Sequence, residues 1–523
     1  MLDLGIVIFY FVLIFLVAIA GRVNKDATVE EYFLSSRNLR WPSIALSSIA
    51  TNINGYQFLG MMGSAYLFGL AQASLEINAV QGILMAAFIF VPLFLKERVI
   101  TVTQYIKKRL GKTVALFYSG ANLLMFSTIT LGAALFWGAF AADAVFAEEL
   151  SFLSEDRVTR MSMLIIGLGV FSAIYTYLGG LNAVVKTDII QFTILLIGGF
   201  VVLFVALKEL GGWNELYDKA PDHMHLYLPA DHKVLPWTHM FGLFLLNINY
   251  WCANQTIMQR SLAAKNLRHA QIGLMVGGVM KYVMAVLIVV PGIALYAILG
   301  ENGLADPDLA FPYLVKNYLP AGLVGIILCS LFASLMSTVD STFNSLATLW
   351  SIDIYKEYIN KEASDEQIIN AGRLTILVAL FTGVTVGLLL MRVQLANAGD
   401  AFTHTLNELR YYINCGIVVL ICTAALMIIP NKKAALIGFL STIPLQLLFK
   451  GFDIGILQYE GLYPDMNYFV RAGCVIMIAL IFVILLSIKD GFRKKLIQYD
   501  SPKIAYAGSV LAVSLILIHI IFQ

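Results

Sequence analysis

The chain has 523 residues, of which 59% are hydrophobic and only 13% are charged, with a mean hydropathy of +0.80. Soluble proteins carry roughly 25% charged residues, so this composition excludes a soluble protein. The formal net charge of +2 is close to neutral and gives no indication of a nucleic-acid partner.

Apolar stretches long enough to cross a bilayer occur repeatedly along the chain, since one span needs about 20 mostly apolar residues. The fourteen predicted spans are 4–20, 42–70, 74–95, 113–146, 160–178, 184–207, 236–255, 272–298, 311–352, 370–391, 396–429, 434–450, 468–488 and 504–522. Stretches longer than about 25 residues must be tilted, broken or extended beyond the bilayer. We therefore expect an all-α multi-pass membrane protein, with 1–523 forming one integral membrane domain.

The first stretch is expected to be a retained helix, because Asp3 is the only charge before Arg22 and no convincing cleavage site follows. The connecting loops alternate in charge. The basic ones carry Arg22, Lys25, Arg37 and Arg40; Lys96, Arg98, Lys107, Lys108, Arg109 and Lys112; Lys432 and Lys433; and Lys489, Arg493, Lys494 and Lys495. Acidic or mixed loops carry Glu148, Glu149, Glu155 and Asp156, or Asp453, Glu460 and Asp465. Basic short loops favour the cytoplasm, so we expect a cell-membrane protein with both termini outside.

Several other functions lack their sequence signals. The longest loop, 208–235, contains His223, His225 and His232; a metal site is one interpretation, and a solvated outer loop is the one we favour. All five cysteines lie in apolar segments without metal-ligand spacing, which is typical of core residues. No P-loop, HExxH or GxSxG pattern occurs, so neither ATP-driven transport nor an intramembrane hydrolase is expected.

Polar residues interrupt two of the predicted spans. The second contains Ala50-Thr51-Asn52-Ile53-Asn54-Gly55-Tyr56-Gln57, and the seventh contains Asn247, Asn249, Asn254 and Gln255. A helix can break inside a membrane only where protein or a cavity satisfies its backbone. Interrupted helices five spans apart are typical of inverted-repeat transporters, with repeats here at 42–207 and 236–429 and peripheral helices at 434–522. The alternative is polar helix–helix contact without a break.

Ionisable and hydroxyl side chains inside the sixth and ninth spans indicate an ion site. Such groups are costly in a membrane and suggest function. The sixth span opens with Lys186-Thr187-Asp188, and in the ninth Ser334, Ser337 and Thr338 share one helical face at i, i+3 and i+4. Ser337, Asp340 and Ser341 repeat that spacing. Hard cations such as sodium prefer oxygen ligands, although serines also ease helix packing.

The ordered motifs in this chain resemble those of the sodium/solute symporter family, and within it the bacterial sodium–galactose/glucose cotransporters. The matching segments are Gly179-Gly180-Leu181-Asn182-Ala183-Val184-Val185, Thr187-Asp188 with Gln191, Gln259-Arg260-Ser261-Leu262-Ala263-Ala264-Lys265, Ala333-Ser334-Leu335-Met336-Ser337 and Asp353-Ile354-Tyr355. The resemblance implies a core of two inverted five-helix repeats, resembling the leucine-transporter architecture. It also implies solute uptake driven by an inward sodium gradient through alternating access.

The same resemblance assigns the coupling ion, Na⁺, to specific positions. The backbone carbonyls of Ala50 and Ile53 correspond to the main sodium site, which is completed by oxygens of Ser334, Ser337 and Thr338. In some family members the aspartate equivalent to Asp188 helps to hold a second sodium. Asp340 is unusual at its position, so two interpretations are open. It forms a second cation site with Asp188, Ser337 and Ser341, or it pairs with a cation such as Lys186.

The resemblance also implies a sugar site. Its contact positions are Gln57, Glu76, Asn247, Lys281 and Asn407, with Tyr250 stacking on the sugar as an inner gate. An amide, a carboxylate and an amine suit a polyhydroxylated solute, because each hydroxyl donates and accepts. The alternative for Glu76 and Lys281 is a structural ion pair.

The chain departs from the sugar-transporter pattern at several positions. Ala79 and Thr128 replace more polar contacts, the eleventh span carries His404, Glu408 and Arg410, and no proline lies near Cys415. We therefore expect a sodium-coupled importer of a sugar. The alternatives are myo-inositol, a sialic acid, an acidic sugar or another carboxylate.

Overall fold

The computed structural model describes residues 2–24, 26–53, 57–301, 303–304, 306–320, 322–396, 402–453, 455–456, 458–488 and 491–523. Of the residues singled out above, Lys25, Asn54, Gly55, Tyr56, Lys489 and the side chain of His404 lie outside this description, as does part of the eleventh predicted span.

The first half of the chain forms eleven helices in the described residues. They are α1 (Leu2–Ala20), α2 (Val29–Leu34), α3 (Trp41–Asn52), α4 (Met62–Phe68), α5 (Ser74–Ile77), α6 (Ala79–Met85), α7 (Val91–Lys96), α8 (Val102–Leu110), α9 (Lys112–Met125), α10 (Leu131–Phe146) and α11 (Arg157–Leu210). Single turns of π-helix join several of them, at Gln57–Met61, Ala86–Phe90 and Phe126–Thr130. Short 3₁₀ turns occur at Ser35–Arg37 and Gly69–Ala73.

The second half continues with helices and one small hairpin. The helices are α12 (Asn214–Lys219), α13 (His239–Ile248), α14 (Gln255–Leu262), α15 (Leu267–Leu299), α16 (Ala310–Tyr318), α17 (Leu323–Thr348), α18 (Asp365–Ala396), α19 (Phe402–Leu426), α20 (Lys432–Lys450), α21 (Tyr468–Ser487) and α22 (Pro502–Ile521). Further π-helical turns lie at Asn249–Ala253 and Leu349–Ile359, and 3₁₀ turns at Pro221–His223 and Pro307–Leu309. Strands β1 (Phe452–Asp453) and β2 (Gln458–Tyr459) pair antiparallel.

The helices confirm an all-α, multi-pass membrane protein. Within the described part of the chain, eleven continuous helical segments are long and apolar enough to cross a membrane. The difference from the fourteen predicted spans arises at three places. The first part of the second span, α3, is too short to be counted, and its later part is continuous with the third span in Leu59–Lys96. The interrupted seventh span leaves only short pieces, and the fifth and sixth spans are merged in α11, which has 54 residues.

Gly180 divides α11 into its two spans. Its φ of 54° and ψ of −146° depart from helical geometry, which a residue without a Cβ tolerates most readily. A Cβ at this position would also collide with the carbonyl oxygen of Tyr32. The resemblance motif therefore includes a glycine that the backbone requires, and the bend at this point positions the second half of α11, which carries Asp188.

Both interrupted spans break where the polar residues predict. Helix α3 ends at Asn52, and the next residue, Ile53, is extended with φ −88° and ψ 125°. Gln57–Met61 forms a π-helical turn further along the same span. In the seventh span Asn254 is extended, with φ −70° and ψ 118°, between α13 with its π-helical turn and α14. The Asn254 side chain caps α14 by accepting a hydrogen bond from the Thr256 amide at 2.9 Å. These breaks leave backbone and side-chain oxygens directed into the protein rather than into lipid.

The first and the last helix are each held by contacts with distant parts of the chain. The Leu226 amide donates to the carbonyl oxygen of Phe522 at 2.7 Å, which ties α22 to the 208–235 loop. Near the other end of the chain, Asp3 Oδ1 accepts from the Gly325 amide at 2.7 Å, at the start of α17. His223 of the loop stacks on Tyr296 near the end of α15, with ring centroids 3.7 Å apart. The placement of both termini outside the cell stays a prediction.

The histidines of the 208–235 loop make separate contacts. His223 stacks on Tyr296, His225 Nδ1 lies 2.9 Å from the Gln523 carbonyl oxygen, and His232 Nδ1 accepts from the Leu235 amide at 3.0 Å. In the residues that the structure describes, no group of three histidine, cysteine, aspartate or glutamate side chains could hold a metal ion. The metal interpretation of this loop therefore gains no support.

Candidate ion and solute site

The hydroxyl face of α17 meets the break in α3. Ser334 Oγ donates to the Ile53 carbonyl oxygen at 3.1 Å, and Thr338 Oγ1 lies 3.4 Å from the same oxygen. Thr338 Oγ1 also donates to the Thr51 carbonyl oxygen at 3.1 Å. Because Ser334 and Thr338 are one turn apart, both hydroxyls reach the same break. Ala50 is buried one turn earlier in α3, with 1% of its surface exposed.

This arrangement concentrates oxygens without a formal charge. Two hydroxyls and two main-chain carbonyls converge, and hard monovalent cations are bound by oxygens of these kinds. All of these residues are buried in the bundle, so the oxygens have few competing water partners. Of the five predicted sodium positions, Ile53, Ser334 and Thr338 are thus brought into direct contact.

Ser337, the remaining predicted sodium ligand, contacts an aspartate. Its Oγ donates to Asp188 Oδ1 at 2.5 Å, and Ser47 Oγ of α3 donates to Asp188 Oδ2, also at 2.5 Å. The guanidinium of Arg260 completes the pairing, with Nη2 lying 3.1 Å from Asp188 Oδ2 and both side chains fully buried. A buried carboxylate needs such a partner because an unpaired charge is very costly away from water.

Asp340 and Ser341 extend the same buried network. Tyr175 OH donates to Asp340 Oδ2 at 2.5 Å, and Ser341 Oγ lies 3.4 Å from Asp340 Oδ1. Arg260 Nη2 also donates to Ser341 Oγ, which lies 2.9 Å from Thr51 Oγ1. The residues of the predicted second ion site therefore lie together, with a guanidinium among them.

The suggested pairing of Asp340 with Lys186 is wrong. Lys186 Nζ is exposed and donates to the Ala20 carbonyl oxygen at 3.0 Å. Lysine side chains commonly extend toward water in this way, because the ammonium group is strongly hydrated. Asp340 instead faces the Tyr175 hydroxyl inside the bundle.

Arg260 is the functional residue that the sequence interpretation missed. In the sequence Arg260 is part of a matching motif, and an arginine directly after an interrupted span is itself an indication of a buried cation. Its side chain makes four contacts: with Asp188, Ser341, Ser47 Oγ at 2.8 Å and the Thr256 carbonyl oxygen. It therefore links α14 to α3, α11 and α17.

A second polar cluster surrounds Lys281 of α15. Lys281 Nζ contacts Glu76 Oε2 and Asn52 Oδ1, and Asn52 Nδ2 in turn donates to the Tyr250 hydroxyl at 2.9 Å. Lys281 Nζ also lies 5.8 Å from the ring centroid of Trp251. Three of the predicted solute contacts, Glu76, Lys281 and Tyr250, belong to this cluster.

Two further predicted solute residues, Gln57 and Asn247, are held by backbone carbonyls close in sequence to the cluster residues Asn52 and Glu76. Gln57 Nε2 donates to the Asn52 carbonyl oxygen at 3.2 Å, and Asn247 Nδ2 donates to the Asn78 carbonyl oxygen at 3.0 Å. The Glu76–Lys281 ion pair is formed and nearly fully buried, so the structural interpretation of this pair also stays open. A solute that enters here must replace some of these hydrogen bonds.

A cavity of about 220 Å³ lies beside this cluster. Its described lining consists of Thr51, Met125, Phe126, Thr130, Ala133, Ala134, Trp137, Asn249, Tyr250, Asn254, Thr256, Thr338, Thr342, Leu406, Asn407, Arg410, Tyr411 and Asn414. Asn407 lines this cavity and makes none of the described contacts of the Lys281 cluster. Tyr250 belongs to both regions, since it lines the cavity and bonds to Asn52.

Two interrupted helices that are joined by the Asn52–Tyr250 hydrogen bond, with buried hydroxyls, amides and charges around the breaks, are typical of a membrane transporter that moves a solute through its core. The family model of the sodium:solute symporter family matches residues 32–440. This chain belongs to that family, and it is a sodium-coupled symporter rather than an enzyme.

Relatives and solved structures agree with this assignment. The chain is 30% identical to a sodium/glucose cotransporter of Vibrio parahaemolyticus over 86% of this chain and 85% of that protein. It is 30% identical to sodium/glucose cotransporter 1 of Ovis aries over 77% of this chain, and spans 64% of the sheep protein. The structure of a Na⁺-coupled sialic acid symporter superimposes with a TM-score of 0.78 at 18% identity, covering 95% of this chain and 99% of that chain. This likeness supports the fold, including the inverted-repeat core.

Proposed function

We propose that this protein imports a small polyhydroxylated solute, most consistent with a sugar, together with sodium by alternating access. The observation that carries the proposal is the convergence of the Ser334 and Thr338 hydroxyls on the Ile53 carbonyl, at the break in α3. Sodium at this point would bind to α3 and α17 at once. It would fix the broken segment next to the solute region and favour one state of the transporter.

The proposed sodium ligands are the carbonyl oxygens of Ala50 and Ile53 with the oxygens of Ser334, Ser337 and Thr338. Ser337 links this site to Asp188 through a hydrogen bond of 2.5 Å. Asp188, Asp340 and Ser341 would hold a second sodium only in a state in which Arg260 has moved away from them, because its guanidinium contacts both Asp188 and Ser341.

The proposed solute contacts are the amides, carboxylate and ammonium around Lys281. Gln57, Glu76, Asn247 and Lys281 offer both donors and acceptors, and a sugar hydroxyl uses one of each. Tyr250 adds an aromatic face next to these groups, which suits the apolar face of a sugar ring. Asn407 would contact the solute from the cavity side of Tyr250.

Coupling follows from the shared position of the two sites. Thr51 and Thr338 take part in the sodium region and also line the solute cavity. Sodium would bind first and shape the pocket, and the solute would follow before the repeats 42–207 and 236–429 rock to the other side. Because the coupling free energy is reciprocal, bound solute should raise sodium affinity by the same factor. In this proposal the protein resides in the cell membrane with both termini outside.

Uptake into proteoliposomes tests the proposal. Labelled glucose, galactose, myo-inositol and glucuronate are presented with an inward sodium gradient, and with potassium replacing sodium. Sodium-driven accumulation of at least one of these solutes, abolished when the gradient is collapsed, is expected. Equal uptake in sodium and potassium would contradict sodium coupling, and the absence of sodium-driven uptake of all four solutes would contradict the assignment of a polyhydroxylated solute.

A further inference from the structure

A second cavity, of about 470 Å³, lies at the ends of several membrane-spanning segments. Its described lining consists of Leu93, Lys96, Glu97, Tyr105, Ile428, Arg493, Lys494, Lys495 and Gln498. Lys96 is the last residue of the span Leu59–Lys96, and Ile428 lies just after the span Leu406–Leu426. The remaining basic residues lie in the loop between α21 and α22. Because spans end where the hydrocarbon core of a bilayer ends, this cavity is at the level of the lipid headgroups.

Positive charge is in excess around this cavity. Four cations of the lining form no ion pair with any described residue: Lys96, Arg493, Lys494 and Lys495. Glu97, the acid of the described lining, pairs with Lys108 at 3.1 Å. The adjoining Lys489 and Asp490 lie outside the described residues, and their formal charges cancel. Even with Asp490 and the exposed Asp500 close to the cavity, the cations outnumber the acids.

A further cation, Arg109 of α8, lies near Arg493. Its Nε donates to the Ala424 carbonyl oxygen at 3.0 Å and its Nη2 to the Ile428 carbonyl oxygen at 2.8 Å, so its hydrogen-bond partners are uncharged. Burial, and after it the Arg493 guanidinium, lower the pKa of Arg109, while Glu97 acts in the opposite direction as a smaller cause. Two guanidiniums that are close together repel each other, and an anion beside them reduces that repulsion.

The loop that carries the basic residues is held against the helix bundle. The Arg493 amide donates to the Leu426 carbonyl oxygen at 2.9 Å, and the Gln498 amide donates to the Phe88 carbonyl oxygen at 2.8 Å. Gln271 Nε2 donates to the Gln498 carbonyl oxygen at 2.8 Å. These bonds fix the basic run at both ends, so its cations are kept together at one place beside the cavity.

Exposed apolar side chains lie on both sides of the basic run. Phe492 has 46% of its surface exposed, and Ile497 has 62%. Ile428 in the cavity wall is also exposed, at 43%. A free phosphate ion has no use for apolar surface, whereas a phospholipid carries acyl chains next to its phosphate. Basic pockets between membrane helices are known to bind anionic lipid headgroups.

We propose that this cavity binds the headgroup of an anionic phospholipid. Its phosphate would contact Arg493, Lys494 and Lys495, and its acyl chains would lie along Phe492 and Ile497. The guanidinium provides charge-assisted hydrogen bonds to phosphate oxygens, and each lysine adds a point charge. The lipid would connect the end of α7 in the first predicted repeat with the end of α19 in the second and with the peripheral helices. This inference does not depend on which solute is transported.

The test measures the melting temperature of the full-length protein in detergent while phosphatidylglycerol, phosphatidylcholine or inorganic phosphate is added. A ligand that binds only the folded protein raises the melting temperature, and we expect this from phosphatidylglycerol but not from phosphatidylcholine at the same mole fraction. Each charge near an anionic lipid is worth about fivefold in binding. The triple variant Arg493→Gln/Lys494→Gln/Lys495→Gln should therefore raise the half-saturating phosphatidylglycerol concentration at least about tenfold, and Lys494→Gln/Lys495→Gln should give an intermediate change.

Lys208→Gln/Lys233→Gln/Lys316→Gln is the matched control, because it removes three exposed lysines that do not line the cavity. It should respond to phosphatidylglycerol as the wild type does, and an equal loss of response would show a nonspecific effect of charge and overturn the inference. Equal stabilisation by the two lipids, or an unchanged response of the first triple variant, would also overturn it. Equal stabilisation by inorganic phosphate would overturn the lipid as the occupant.

The number of lipids that remain bound provides a second measurement. Native mass spectrometry of the intact protein, purified from membranes that contain phosphatidylglycerol, counts these lipids directly. The wild type and the control variant should retain more phosphatidylglycerol than Arg493→Gln/Lys494→Gln/Lys495→Gln. Equal numbers in all three proteins would contradict a lipid site at this cavity.

Discussion

The guanidinium of Arg260 and the carboxylate of Asp188 form an ion pair of 3.1 Å, in which neither side chain is exposed. Ser47 lies between them, accepting from Arg260 Nε at 2.8 Å and donating to Asp188 at 2.5 Å. Asp188 also accepts from Ser337 of α17. The pair therefore connects the two predicted repeats next to the proposed sodium site. Any movement of one repeat relative to the other must either break hydrogen bonds of this network or move all of its residues together.

Removing only the cation of this pair should destabilise the protein strongly. Arg260→Gln leaves Asp188 buried without its charged partner, and breaking a buried pair in this way costs about 3 to 5 kcal/mol. The melting temperature in detergent should fall well below that of the wild type. The double variant Asp188→Asn/Arg260→Gln should recover part of the loss, since it buries no unpaired charge. A double variant no more stable than Arg260→Gln would contradict the role of the pair.

Removing hydroxyls from the face of α17 should weaken sodium dependence. Ser334→Ala and Thr338→Val each delete one oxygen at the Ile53 carbonyl, so the half-saturating sodium concentration for uptake should rise about two- to tenfold. Ser330→Ala is the matched control on the same helix, because its hydroxyl donates to the Ile194 and Ile326 carbonyl oxygens at 2.9 and 3.0 Å. An unchanged sodium dependence in both test variants would remove the basis of the assignment.

The two interpretations of the Glu76–Lys281 pair predict different outcomes for a double variant. If the pair binds solute, Glu76→Gln and Lys281→Met should each raise the half-saturating solute concentration about tenfold or more, and the double variant should transport no better than either. If the pair is structural, the double variant should regain both stability and uptake, because neither charge is left unpaired. Melting temperatures and uptake kinetics of all three variants distinguish the two cases.

The sequence predicts the ion region more completely than the solute region, for a physical reason. Ser334 and Thr338 are one turn apart on one helix, and helical geometry alone places their hydroxyls together. Ser337 lies on the same helix, yet its contact with Asp188 depends on how α11 packs against α17. Periodicity within one span cannot reveal such a contact between spans.

Residues that meet only through tertiary packing were harder to predict. Arg260 and Asp188 are 72 positions apart, and Tyr175 and Asp340 are 165 apart. Their sequence neighbourhoods show that a charge or a hydroxyl is buried but do not identify its partner. Asn407 was grouped with the residues around Lys281, whereas it lies in the cavity with Arg410. The predicted solute residues are divided between the Lys281 cluster and the cavity because of the position of Tyr250, which belongs to both regions. No pattern in the sequence specifies that position.

The Tyr250 hydroxyl should restrain solute exit. It accepts a hydrogen bond from Asn52 Nδ2 at 2.9 Å, and Tyr250→Phe removes this bond while keeping the ring. One hydrogen bond of about 1 kcal/mol corresponds to roughly a fivefold change in an equilibrium. Solute efflux from preloaded proteoliposomes should therefore become faster by up to about that factor. Tyr411→Phe, a change at another cavity tyrosine, provides a comparison; equal effects of both changes would argue against a specific role of the Asn52 bond.

Stability should decline with rising pH because of Asp308, in a segment outside the spans. Burial, with the nearby Asp306 carboxylate as a smaller cause, raises the pKa of Asp308 to about 6. Its pKa in an unfolded chain is about 4, so the folded state holds this proton more tightly. The resulting stabilisation is complete below about pH 4 and is lost as the pH rises through about 6.

Asp308→Asn should remove that decline and raise the melting temperature at pH 7. Melting temperatures measured between pH 4.5 and 8 test this expectation. Asp218→Asn, at an exposed acid of the other long loop, is the control and should keep the wild-type pH dependence. A decline of unchanged size in Asp308→Asn would show that another group causes it.

Asp3 has a consequence for the order of assembly during synthesis. Its carboxylate caps the first turn of α17 through the Gly322 and Gly325 amides, residues 319 and 322 positions later in the chain. Helix α17 carries the hydroxyl face, and the carboxylate that caps its start is made 319 positions before Gly322. Asp3 therefore has no partner for this contact until α17 has been inserted. Contacts of such long separation form late in folding. Truncated chains released before α17 should therefore leave α1 undocked and accessible to degradation.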